Sequence, residues 1–223
     1  MKIKSIAAIC KKNKQVALFN RYSESGTLLQ YISGGTAAYP VYGLPELDKK
    51  SILTIFDVPE KQREDWFVRY GSIPEGINFE DTDATEKIIE QGNISIVHNG
   101  DTLKPLQTRR GMVFIKTCYL APVSDVLDVL ELYERVTPSG RTYIVAKAGF
   151  LLQAVIMPCD DVVNAQFVQC LQGLARQCAV SLDLREQEWE RQAATESAEQ
   201  FKVDSGTGAI IEPESEDGND RPL

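Results

Sequence analysis

The chain repeats a local pattern 114 residues further along its own length, and a repeated unit restricts architecture before any single motif does. Leu18-Phe19-Asn20-Arg21, followed by Ser25-Gly26 and Gly35, returns as Leu132-Tyr133-Glu134-Arg135, followed by Ser139-Gly140 and Gly149. Residues 18–35 carry five identities and one Phe/Tyr exchange at this offset without a gap, where average composition gives about one. The surrounding residues read as βαβββ in both places. In the first unit, residues 3–5 predict a strand, 6–14 a short apolar and basic helix, and 16–19, 28–33 and 36–41 a three-stranded meander. Its turns fall at Ser25-Gly26 and Gly34-Gly35.

The second unit is clearer. Residues 113–116 predict a strand, and apolar residues at 119, 120, 123, 126, 127 and 130 keep helical spacing. Strands follow at 130–136, 142–147 and 150–157, with turns at Pro138-Ser139-Gly140 and Ala148-Gly149. The expected fold class is α+β, with duplicated βαβββ units forming antiparallel sheets with short helices, plus a C-terminal helix and an acidic tail. The expected divisions are 1–50 for the first unit, 51–111 for a degenerate middle unit or connection, 112–185 for the second unit with its helix, and 186–223 for the tail.

In the middle third, alternating Ile52, Thr54, Phe56 and Val58 predict a strand. Pro59 then opens a helix over 60–69. Residues 71–86 are acidic and aperiodic and read as a loop, and 93–97 and 112–115 read as strands. Val163, Phe167, Leu171, Leu174 and Cys178 form one stripe of a helix over 160–178, which Asp160 or Asp161 would cap and which can continue to Trp189. Residues 192–223 are rich in Glu, Ser, Gly and Pro, a composition that does not offset its own ordering entropy, so disorder is expected there.

The 223 residues suffice for one large or two ordinary domains, and 43% hydrophobic with 25% charged residues is a globular composition. Apolar runs such as 150–158 are far too short to span a bilayer, and 6–10 is too short for a signal-peptide core. A cytoplasmic location is the resulting expectation. Eleven of the 32 acidic residues but three of the 24 basic ones lie in 186–223, which leaves 21 of each before them. The net charge of -8 therefore belongs to the tail, and the body is neutral.

Five cysteines without a C-x-x-C pair argue against a disulfide framework or zinc site and read as buried free thiols. The single histidine, His98, sits in the turn-like Val97-His98-Asn99-Gly100-Asp101, with no metal-ligand spacing around it. No phosphate loop, G-x-G-x-x-G or G-x-S-x-G is present. Asp160-Asp161 and Glu216-Asp217 read as a helix cap and solvated tail, and Asp57, Asp81 and Asp83 have no metal-specific spacing. The expectation is a protein that is not an enzyme and carries no cofactor or metal.

Three basic groups remain: Lys11, Lys12 and Lys14; Lys61, Arg63 and Arg69; and Arg109 with Arg110. They are either solvated faces or phosphate contacts, if they converge. Lys11, Lys12, Lys14, Lys61, Arg63, Arg109 and Arg110 are the candidate nucleic-acid-binding residues. Trp66 and Phe67 read as core, and Trp189 as a contact residue.

Phe114-Ile115-Lys116 followed by Tyr119-Leu120 and an apolar stretch resembles the strand-to-helix passage of the last module of a bacterial DNA sliding clamp. Leu152 through Val155-Ile156-Met157-Pro158 resembles that module's closing strand. The likeness covers about 45 residues here and, more loosely, the first 40. It departs from the family where the second helix carries Asp125 and Asp128 with no Lys or Arg, and where the chain continues past Pro158. The resemblance implies a non-enzymatic DNA-replication accessory or clamp-like scaffold, encoded by a phage or mobile element. Its partners would be double-stranded DNA, a replication protein and further copies of itself, with no membrane. The competing reading is a protein-interaction module using its acidic tail, without DNA encirclement; a hydrolase built on generic carboxylates is a third.

Overall fold

In the computed structural model, residues 2–22, 26–200, 202–203, 206 and 210–211 are described. Two compact units result, Met1–Val162 and Val163–Leu223. The first holds an eight-stranded sheet and a separate three-stranded one.

Helix α1 (Ile3–Asn13) leads into the meander β1 (Gln15–Tyr22), β2 (Leu28–Gly34) and β3 (Ala37–Val41). After α2 (Lys49–Ile55) come β4 (Phe67–Gly71), β5 (Lys87–Ile89), β6 (Ile96–His98), β7 (Asp101–Thr108) and β8 (Gly111–Lys116). A second meander, β9 (Leu130–Val136), β10 (Thr142–Ala148) and β11 (Leu151–Ile156), closes the unit. The large sheet runs β4-β1-β2-β3-β11-β10-β9-β5, so the two meanders meet through antiparallel β3 and β11.

The 114-residue offset of the sequence is also the offset of the strand pairs. Leu18 faces Ile32 across β1–β2, and Leu132 faces Ala146 across β9–β10. Gly35 and Gly149 have φ of 74° and 59°, a left-handed conformation that glycine enters without steric cost. The repeat is broken at one point, where β10–β11 pairing slips after Ala146 and leaves Gln153 as an extra residue. Ser25, part of the first expected turn, lies outside the described residues.

Strand alternation divides the core between the two faces of this sheet. Leu18, Ile32, Tyr39, Leu132, Ile144 and Ile156 pack with Ile6 and Cys10 of α1, Ile52 and Leu53 of α2, and Leu106 and Ile115 of the small sheet. Tyr31, Ala38, Tyr143, Val145 and Leu152 point the other way, against Ile73, Ile77 and Phe79 of the 72–86 segment. That segment, within the 71–86 expected as a loop, has no regular structure and roofs a buried surface. Arg135 on β9 fastens it. Its side chain has 0% exposure. It donates to the carbonyls of Asn78 (3.1 Å), Glu80 (2.9 Å) and Asp81 (3.3 Å), and to the Glu86 carboxylate, which also takes Lys147 Nζ at 2.7 Å. Its repeat equivalent, Arg21, reaches the same segment through an ion pair with Glu80, nearer the surface.

Several local expectations are corrected. Residues 3–5 belong to α1, because Ile3, Ile6, Ala7 and Cys10 share one helical face against the sheet. The helix expected over 119–130 is two 3₁₀ segments, Thr117–Val123 and Leu127–Val129. Pro122 lacks the amide that an α-helix needs, and Ser124, Val126 and Val129 each donate to the carbonyl three residues back. The strand expected over 52–58 is α2 and the turn that ends it. Asp48 and Ser51 close a capping box, and Thr54 donates to the Lys50 carbonyl at 2.7 Å. The helix expected over 60–69 is a 3₁₀ turn, Glu60–Gln62, followed by β4, which pairs in parallel with β1. Trp66 is core and stacks edge-on to Phe56, whereas Phe67 is exposed. Strand β8 pairs with β7 rather than joining the large sheet. β7 contains Pro105, which is tolerated because β6 covers only residues 101–103.

In the second unit, α3 spans Ala165–Gln200 and is capped by Asn164, whose Oδ1 accepts from the Phe167 amide at 2.9 Å. Neither Asp160 nor Asp161, the two expected caps, is at the helix start; Asp160 pairs with Arg141 at 2.7 Å. Residues 192–200, expected to be disordered, continue α3. Lys202–Val203 and Ile210–Ile211 pair as β12 and β13, and most of the remaining tail lies outside the described residues. Trp189 is exposed on α3, as are Val168, Leu171 and Leu174. Among the described residues, no helix is long and apolar enough to cross a membrane.

The two repeat-related arginines should differ sharply when truncated. Arg135→Ala removes a fully buried guanidinium and leaves three carbonyls and the Glu86 carboxylate without its donors, and is expected to cost about 3–5 kcal/mol. Arg21→Ala removes a partly exposed pair and is expected to cost about 1 kcal/mol or less. Urea unfolding of both variants checks this.

Candidate functional site

A polar convergence distinct from the Arg135 cluster lies where α1, the β2–β3 turn and the small sheet meet. The β7–β8 register sets Lys116 opposite Leu103, on the same face as Asp101 two residues earlier. Asp101 follows a tight turn in which Asn99 and Gly100 both have positive φ (50° and 79°), the type I′ arrangement that an Asn-Gly pair favours. From α1, 89 residues away in sequence, Lys12 reaches the same carboxylate. Asp101 thus holds Lys116 on Oδ2 at 2.7 Å and Lys12 on Oδ1 at 3.2 Å.

These three groups rim a cleft of about 430 Å³ whose walls include Ala8, Ile9, Tyr119, Ala121 and the Gly34-Gly35 turn. The absence of a side chain at Gly34 is needed for this geometry. A Cβ there would lie 2.8 Å from Cys10 Sγ and 3.0 Å from Ile9 Cγ2, so these α1 side chains would have to give way. Tyr39 donates from below to the Tyr119 carbonyl at 2.8 Å and fixes the far wall.

Hydrogen bonds from Lys116 and then Lys12 hold the Asp101 carboxyl below its ordinary range, and the same bond to Asp101 raises Lys116. Cys118, also in the cleft, is exposed as a residue, but partial desolvation of its sulfur raises it and it stays a thiol. Cys10, beneath it, is pushed up to about 12 by burial. The cleft therefore offers cationic donors and apolar walls rather than an activated nucleophile. Of the thiols expected to be buried, Cys10 is, whereas Cys118, Cys170 and Cys178 are exposed and Cys159 is half-buried.

The seven cations singled out in the sequence do not converge on one bare patch. Lys12 belongs to the cleft. Lys14 pairs with Asp65 at 2.9 Å, and Arg63 donates to the Val58 carbonyl at 3.0 Å. Arg109 is held by the buried Glu134 and by the Thr85 carbonyl, and Arg110 by the Gly140 carbonyl. Lys11 and Lys61 are exposed, the first on α1 and the second in the turn before β4. Lys4, which the sequence reading passed over, is exposed seven residues before Lys11, two turns along the same face of α1. Asp101 and Lys116 were also missed, because only the β7–β8 pairing brings them to α1.

His98 ends β6, beside the Asn99 side chain. Asp81 accepts the Leu152 amide at 2.8 Å, and Asp83 accepts from Asn78 and Thr85. Among the described residues, no group of three His, Cys, Asp or Glu side chains is placed to hold a metal ion. The chain matches no known family, no curated protein and no solved structure.

The Asp101 bridge sets a testable acid limb. A carboxyl depressed in the folded state adds stability above its unfolded value of about 3.9 and loses it as pH falls through the folded value. The stability difference between the wild type and Asp101→Asn should therefore be constant near neutrality and shrink below about pH 4. Urea midpoints across that range measure it.

Proposed function

We propose that this chain is a non-enzymatic, clamp-like scaffold of DNA replication, with α1 turned toward nucleic acid and the sheet edges toward protein. The observation that carries this reading is the pairing of two like meanders in one continuous sheet, with α1 and the 3₁₀ segment after β8 side by side on one face. Ile6 and Cys10 pack in the same cluster as Tyr119 and Val123, and the Lys2 amide donates to the Pro122 carbonyl at 2.7 Å. Lys4 and Lys11 stand on the outer side of α1, where they would meet phosphates as positioning contacts without reading sequence. β4 and β5 are the outer strands of the sheet. Their unpaired backbone groups suit strand addition by a partner or by another copy.

A second reading is favoured by one observation: Lys12, Lys14, Arg63, Arg109 and Arg110 are already engaged within the chain. A protein-interaction module, docking through sheet edges and the acidic residues of 186–223, would not need them free.

Fluorescence anisotropy with duplex DNA over a salt series separates the two. The clamp-like reading expects binding whose log–log salt slope is about −2 to −3, as for a few released counterions, and its loss in Lys4→Glu/Lys11→Glu. It also expects a discrete oligomer by light scattering. A monomer with salt-independent or undetectable DNA binding overturns it and leaves the interaction module.

A further inference from the structure

We infer that the cleft between α1 and the Gly34-Gly35 turn binds a small amphipathic monoanion, an aliphatic carboxylate, whose head group bridges Lys12 and Lys116. Two ammonium groups and one carboxylate are the charged side chains lining it, so the rim carries one uncompensated positive charge beside apolar walls. The two lysines take different oxygens of Asp101, so one carboxylate gathers both ammonium groups at the same rim of the cleft. Each ammonium has three donors and directs one to Asp101. A second carboxylate opposite Asp101 would complete an alternating ring of two cations and two anions, with charge-assisted bonds at each contact. Its hydrocarbon chain would then lie along Ala8, Ile9 and Ala121, out of water.

The same arrangement rejects other classes. A cationic head would add to the excess charge, and a neutral alcohol would leave it uncompensated. The cleft size is that of small-ligand sites, which are mostly apolar with a few convergent polar groups. This inference is independent of the DNA reading, since Lys4 and Lys11 do not line the cleft.

The test is a titration of the full chain with octanoate, octylammonium and 1-octanol, followed by amide NMR shifts. Octanoate is expected to shift Ser5, Gly35 and Cys118. Lys12→Met should weaken it about tenfold, because the rim becomes neutral. Lys116→Met should act likewise. Ala8→Trp fills the cleft from an exposed helix position and should abolish binding while leaving the far-UV spectrum unchanged. The inference is overturned by any of three results: no cleft shifts with octanoate up to about 10 mM, equal binding of octylammonium or octanol, or undiminished octanoate binding in Ala8→Trp.

Discussion

A guanidinium shut off from water holds a segment without helix or strand in place. Arg135 donates to three main-chain carbonyls and a carboxylate of the 72–86 segment, which has neither helix nor strand to satisfy its own polar groups. Carbonyls turned toward the sheet need donors in place of water. The arginine supplies them from the sheet, and Glu86 offsets its charge while also taking Lys147. The segment can then press Ile73, Ile77 and Phe79 onto the second face of the sheet. Without that roof, Tyr143, Val145 and Leu152 would face water and the sheet would keep only one packed side.

The other face is organised differently. There α1 and α2 bring their own hydrogen-bonded backbones, and packing is a matter of fit between apolar stripes. The close approach at Gly34 shows how tight that fit is. It also places the end of α1 beside the small sheet, where Lys12, Lys116 and Asp101 meet. The covered helix face stabilises the fold. The exposed side of the same helix carries the charges proposed to act on phosphates, and the flank between them forms a wall of the cleft.

The sequence was most legible where structure is set by neighbours in the chain. Both meanders were readable because strand alternation and turn glycines are local signals, and they recur together at a fixed offset. The middle third was misread for the converse reason. Ile52, Thr54, Phe56 and Val58 alternate as a strand would, yet the Asp48–Ser51 cap makes the stretch helical and leaves Thr54 outside. The stretch from 60 looked helical from Pro59 onward, but its end was drawn into the large sheet by β1. Pro122 was the local signal against a regular second helix, and the apolar spacing around it concealed that signal. At the candidate site, Lys12 was visible as one charge in a basic helix. Its partners Asp101 and Lys116 were not, since nothing near residue 12 in the chain refers to them.

By itself, the sequence determined the class of fold, the paired meanders and the neutral body with an acidic end. Each follows from composition or from periodicities a few residues long. The tertiary structure alone decided that both meanders share one sheet, that a polar segment is a roof, and that most of the candidate cations are engaged within the chain. Those outcomes depend on pairings between residues tens of positions apart, where the energy of a contact is known only once the backbone has brought its partner within reach.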